Sequence, residues 1–247
     1  MDHVTIAVEA GVADVRLNRP DKLNALDLSM FEGIAAAIAR LSDMPDLRAV
    51  VLSGEGRGFC AGLDLAAMGP GGGLPDLLAR SHGEANLSQQ AAWGWRTLAV
   101  PVIAAVTGVV FGGGLQIASS ADIRIARPDA RLSVREMRWG LIPDMAGIAL
   151  WRTLVRDDVL RELIYTAREF DGSEAQRLGF VTRLAEDPWS EAMALARTIA
   201  AAPPDAIRAA KRLVGLSPDL AAADVLAVES AEQAALLRAM GNGSGGG

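Results

Sequence analysis

The sequence is short of most groups that carry protein chemistry. Its 247 residues hold one cysteine, two histidines, one tyrosine and 4% aromatics. A lone Cys60 excludes a disulfide framework, a cysteine-rich zinc site and an iron–sulfur cluster. His3 and His82 stand far apart in no triad-like context, so serine–histidine or cysteine–histidine catalysis has little to build on, and clustered metal ligands are missing. Lys+Arg 24 against Asp+Glu 30 leaves a net charge of −6. That balance offers no basic stripe for nucleic acid. The start, Met1-Asp2-His3-Val4, lacks the basic and apolar regions of a signal peptide, so a cytoplasmic protein is expected.

What the chain has is small and apolar. Hydrophobic residues make up 51%, and there are 26 glycines. That excludes a disordered chain and predicts a core built on close backbone approach. Residues 97–121 run without a charge and are long enough to span a bilayer. Pro101, Gly108 and Gly112-Gly113-Gly114 interrupt them, so buried strand, loop and helix is the better reading. Alternation predicts paired strands over 4–9 and 12–18, then a helix to Ser42 capped by Asp27 or Ser29. Strands are expected over 48–53, 102–106, 123–126 and 131–134. Helices are expected over 74–98 and 113–120, and at 145–156, 158–166, 173–178, 188–201, 204–214 and 219–240. Ala209-Ala210-Lys211-Arg212 reads as a solvated helix face. Gly241 to Gly247 reads as a flexible tail.

Gly54-Glu55-Gly56-Arg57-Gly58 fails the dinucleotide spacing because Phe59 stands where the third glycine belongs. Two other glycine turns each follow a buried strand, Gly58-Phe59-Cys60-Ala61-Gly62-Leu63-Asp64-Leu65 and Gly108-Val109-Val110-Phe111-Gly112-Gly113-Gly114-Leu115. If they converge, their uncovered amides and the positive end of a helix make an oxyanion hole. Otherwise they are tight turns serving close helix packing. Cys60, among small residues, reads as a buried small hydrophobe.

Those two turns, with Asn18-Arg19-Pro20, Lys22-Leu23-Asn24-Ala25-Leu26, Pro101 to Gly108, Ala121-Asp122-Ile123-Arg124 and Gly140-Leu141-Ile142-Pro143, closely resemble the crotonase (enoyl-CoA hydratase/isomerase) superfamily. The register holds from about residue 4 to residue 240. The resemblance implies an α/β crotonase-like (ClpP/crotonase) spiral of ββα units. A spiral core over 1–190 would carry a helical region over 191–240 and the tail over 241–247. It also implies an acyl-CoA thioester as substrate, no separate cofactor, no nucleic acid or membrane partner, and a homotrimer or hexamer. Oxyanion-hole amides would come from Leu63 and Gly113. Lys22, Leu23, Ala25, Ala61, Asp64, Gly112 and Trp139 would contact substrate, with Met68, Leu74, Leu77, Leu78 and Trp93 as further pocket candidates. A mobile wall is expected over 69–74. Relatives commonly continue past the position of Met240 with another helical segment.

Hydratases of the superfamily use two glutamates. Here the first position is Gln116, which orients water but exchanges no proton with it; the second is Glu136. Dienoyl-CoA isomerase-like members place an aspartate where Asp144 stands. Double-bond isomerisation with Glu136 as acid/base and Asp144 assisting is therefore favoured. The alternatives are hydration, with Gln116 and Glu136 positioning water, or acyl-CoA binding with little turnover. Asp144 also stands where a helix cap is expected, and Arg135 and Arg138 stand where they would pair with Glu136.

Overall fold

The computed structural model describes residues 3–68 and 76–243. Strands β1 (Val4–Glu9) and β2 (Val12–Leu17) form an antiparallel hairpin. Helix α1 (Leu28–Ser42) follows, capped by Asp27, whose carboxylate accepts the Met30 amide at 2.9 Å. Next come β3 (Ala49–Gly54), α2 (Leu87–Thr97), β4 (Val102–Val106), β5 (Val109–Phe111) and α3 (Gly113–Ser120). Strands β6 (Ile123–Ala126) and β7 (Arg131–Ser133) lead into α4 (Gly147–Trp151) and α5 (Asp157–Thr166). The chain ends through β8 (Phe170–Asp171), α6 (Gly172–Leu178), β9 (Arg183–Leu184), α7 (Pro188–Ala200), α8 (Pro204–Leu216) and α9 (Ala222–Gly243).

One sheet runs in the order β1-β2-β3-β4-β6-β9, parallel after its first pair, and a second runs β5-β7-β8. The alternation in the strands decides what each face meets. Ala13, Val15, Leu17, Val50, Leu52, Val102 and Ala104 point to the main core with Ile34, Ile38, Ala91 and Trp95 of α1 and α2. Val12, Ala49, Val51, Ile103 and Ala105 point the other way, onto Ala192, Met193 and Ala196 of α7. Burial on both faces explains why β3 and β4 read as unbroken apolar runs. It also accounts for the uncharged stretch over 97–121, which divides into β4, β5 and α3. Among the described residues, no helix is long and apolar enough to cross a membrane.

Three expectations change. Among the described residues of the helix expected over 74–98, only Leu87–Thr97 is regular, because Asn86 starts it with a capping box in which Asn86 and Gln89 bond each other's amides. Helix α9 continues to Gly243 through part of the supposed tail. Lys211 is not solvated. Its ammonium donates to Val100 O at 2.7 Å and to Asp122 at 2.8 Å, tying α8 to the sheet, while Arg212 pairs with Glu232 of α9.

Candidate active site

The two glycine turns converge. Cys60 donates its amide to Val109 O at 3.1 Å, and Phe111 donates to Cys60 O at 3.0 Å, so the first turn runs beside β5. Gly62 takes φ +85°, and a Cβ there would lie 2.6 Å from Phe111 O. A side chain on Gly114 would likewise run into the carbonyl of Cys60. Only glycine permits both the left-handed backbone and the approach.

The amides this exposes follow from strand geometry. Leu26 donates to Gly62 O at 2.8 Å and accepts from Asp64 N at 2.9 Å. Residues 62 and 64 thus face Leu26, which turns the Leu63 N–H to the other side. Gly113 opens α3, where N–H groups lack intrahelical acceptors. Neither amide has a partner among the described residues, and Leu63 and Gly113 both line a cavity of about 430 Å³.

Glu136, Asp144 and Gln116 line the same cavity. Gln116 is 1% exposed and its amide is fixed at three points. Oε1 accepts the amides of Met145 and Gly147, each at 2.8 Å, and Nε2 donates to Glu136 Oε1 at 2.7 Å. Two donors on one oxygen fix which end of the amide is which. Glu136 Oε2 is buried without a partner among the described residues. Burial pushes the Glu136 carboxyl above its ordinary range, and the nearby charge of Asp144 adds to this against the Gln116 bond. Burial raises Asp144 as well. A carboxyl with a raised pKa is suited to taking and returning protons near neutral pH.

The enoyl-CoA hydratase/isomerase family model matches residues 7–239. The chain belongs to this family. Among curated relatives, the Mycobacterium tuberculosis protein named "Probable enoyl-CoA hydratase EchA14" is 37% identical over 85% of this chain and 80% of its own. The short-chain-enoyl-CoA hydratase of Clostridium acetobutylicum is 34% identical, covering 81% of this chain and 74% of its own. The peroxisomal Delta(3,5)-Delta(2,4)-dienoyl-CoA isomerase of Arabidopsis thaliana is 30% identical over 71% and 66%. Among solved structures, the enoyl-CoA hydratase of Bacillus anthracis superposes with a TM-score of 0.86 at 26% identity, covering 96% of this chain and 91% of that one. A Thermobifida fusca structure, assigned as an enoyl-CoA hydratase and solved in complex with CoA, gives 0.84 at 29% identity, covering 98% and 95%.

Within this family member, Ala61, Leu63, Gly112, Gly113, Gln116, Glu136, Trp139 and Asp144 share the cavity walls. Lys22, Leu23, Ala25 and Asp64 do not. Leu23 O instead accepts the Ala61 amide at 2.9 Å, and Asp64 is held by Arg19 at 2.9 Å, behind the first turn. Leu77 lines the cavity, Leu78 is exposed and Trp93 packs on the core. Leu74 and the wall over 69–74 lie outside the described residues. Cys60 is buried, which pushes its thiol up to about 12 and leaves it inert at neutral pH.

Two expectations are corrected. Asp144 does not cap α4, whose N-cap is Ala146; the Gln116 oxygen takes the first helical amide, that of Gly147. Arg135 does not pair with Glu136 but with Glu169 at 2.7 Å, lying 4.0 Å over the Phe111 ring. Phe31, Asn86, Ser88, Gln89, Leu141, Ile142 and Met145 also line the walls and were not among the expected pocket residues. The Asn86…Gln89 spacing is a capping signature and marked where α2 enters the site.

Proposed function

We propose that this family member moves a carbon–carbon double bond in an acyl-CoA thioester, converting a 3-enoyl or 3,5-dienoyl chain into its conjugated isomer. The thioester oxygen sits between the amides of Leu63 and Gly113. Glu136 Oε2 takes a proton from C2, the electron pair moves toward the thioester, and the two amides stabilise the oxyanion of the resulting enolate. For a 3-enoyl chain, the proton then returns at C4, from Glu136 itself or by way of Asp144, so the product has the composition of the substrate.

One observation carries this reading, the three-point fixation of Gln116. Hydration needs a water held and deprotonated between groups that accept and return protons. The Gln116 oxygen is already occupied by two backbone amides, and its nitrogen already donates to Glu136. Gln116 therefore acts on Glu136 rather than on water. It holds Oε1 and leaves Oε2, which has no partner among the described residues, as the oxygen that exchanges the proton. Hydration is the second reading, favoured by the hydratase names of relatives such as those from M. tuberculosis and C. acetobutylicum.

Product analysis separates them. Purified protein is expected to convert 3-enoyl- or 3,5-dienoyl-CoA faster than it hydrates 2-enoyl-CoA. The reverse order would overturn isomerisation, and binding without turnover would overturn both enzymatic readings. Glu136→Gln preserves the shape and the bond to Gln116, and is expected to lower isomerase kcat by about 10²–10⁴-fold. Retention of full rate would remove Glu136 as the base.

A further inference from the structure

The cavity has a polar wall that neither reading uses. It is otherwise lined by side chains such as Phe31, Leu77, Leu141, Ile142 and Met145, yet the first turn of α2 brings Asn86, Ser88 and Gln89 into it. Asn86 is held at both ends of its amide. Its oxygen accepts the Gln89 amide at 2.8 Å and its nitrogen donates to Leu77 O at 2.8 Å. Gln89 gives its own oxygen to the Asn86 amide at 3.1 Å. Ser88 is different. It is 5% exposed, and its hydroxyl oxygen, which has no hydrogen-bond partner among the described residues, is not fully sealed from solvent. The amides of Leu87 and Ser88 also find none, because the capping box serves those of Asn86 and Gln89.

A hydrocarbon chain that fills the cavity strips water from the Ser88 hydroxyl and leaves it unpaired, at a cost of about 1–3 kcal/mol, unless the chain itself pairs with it. A site built around such a group discriminates against the analogue that leaves it unpaired. The positive end of a helix beside it favours an acceptor oxygen. The charge in the cavity argues for a neutral one, since Glu136 and Asp144 line it and Arg135 is paired with Glu169.

We propose that Ser88 and the first turn of α2 form a specificity subsite for an oxygenated acyl tail, one whose end remote from the thioester carries a hydroxyl or oxo group. The inference rests on the acyl-CoA reading of the cavity but not on which reaction follows.

The test uses saturated thioesters, which carry no double bond to move or hydrate. Titration calorimetry compares butanoyl-, hexanoyl- and octanoyl-CoA with the same chains bearing a terminal hydroxyl or a penultimate oxo group. At the length that reaches Ser88, the oxygenated thioester is expected to bind about tenfold tighter, the worth of one net hydrogen bond. Ser88→Ala is expected to abolish that preference by weakening the oxygenated thioester about tenfold, with the plain thioester bound no more weakly than before. Equal or tighter binding of the hydrocarbon tail at every length, or a preference that survives Ser88→Ala, would overturn the subsite. Failure of every thioester to bind would overturn the acyl-CoA reading along with it, whereas binding without the preference overturns the subsite alone.

Discussion

Gln116 both supports the fold and, in the proposed reaction, sets which oxygen of Glu136 exchanges the proton. Its oxygen stands in for a helix cap at α4, and its nitrogen holds Glu136, the carboxylate proposed to move the proton. Gln116→Glu separates the two tasks. A carboxylate oxygen there still accepts the amides of Met145 and Gly147, but the donor to Glu136 is lost and a like charge takes its place. Both changes favour the protonated form of Glu136, which burial already favours. The acid limb of the isomerase pH–rate profile should therefore move to higher pH, with the rate at high pH less affected than the rate near neutrality. The same variant gains a second ionisable group over the cavity, so hydration of 2-enoyl-CoA should rise. An unmoved limb in steady-state assays across pH would mean that Gln116 does not act through Glu136.

Elements differ in how far the sequence discloses them, and the reason is where their stability originates. β4 and α3 were legible with their bounds because each is an apolar run closed by proline or glycine. β5, β8 and β9 were not, because β8 and β9 are two residues long and β5 stands inside a glycine turn, so none shows a period of its own. β5 exists through Val109–Phe111 lying beside Arg131–Ser133, and β8 through its pairing with β7. The site divides in the same way. Its carboxylates and glycine turns stand in recognisable motifs, whereas the bonds from Gln116 to residues 29 and 31 positions away appear only after folding. Lys211 is a similar case, since a helix with alanines around a lysine reads as solvated. Its ammonium is nevertheless held by Val100 O and by Asp122, which also accepts the Val102 amide at 2.8 Å. Lys211→Met should cost roughly 1.5–3 kcal/mol, the worth of a hydrogen bond to a charged group. The loss should be local. Hydrogen exchange should show α8 and α9 losing protection while β3 and β4 keep theirs, and uniform loss throughout the chain would show that α8 is not a separately anchored element.

For the whole molecule, a site with two raised carboxyls subtracts from stability at working pH. Glu136 and Asp144 both titrate above their ordinary values because the cavity buries them. Between the unfolded pKa and the higher folded one, the native state holds more protons than the unfolded state. Their contribution therefore favours folding most below the unfolded value and declines as pH rises through the folded one. Carboxylates held by arginines act in the opposite sense. Burial pushes Glu169 up, but its bonds to Arg135 and Arg131 outweigh this and hold it below its ordinary range, so its contribution is lost on acidification. The pH–stability curve of the unmodified protein sums both kinds and isolates neither, but a difference between variants does. Glu136→Gln removes one raised group while keeping a side chain able to accept the Gln116 bond. Its Tm should exceed that of the parent near pH 8, and the gap should close as pH falls below about 4.3, the ordinary glutamate value, where the parent carboxyl is protonated folded or unfolded. A gap that persists unchanged at low pH would trace the gain to packing, and a parent that melts higher at pH 8 would mean that Glu136 is not strained by its burial at all. With the gap as stated, the same substitution stabilises the fold and slows the proposed reaction, the trade expected where a carboxyl is buried for catalysis rather than for folding.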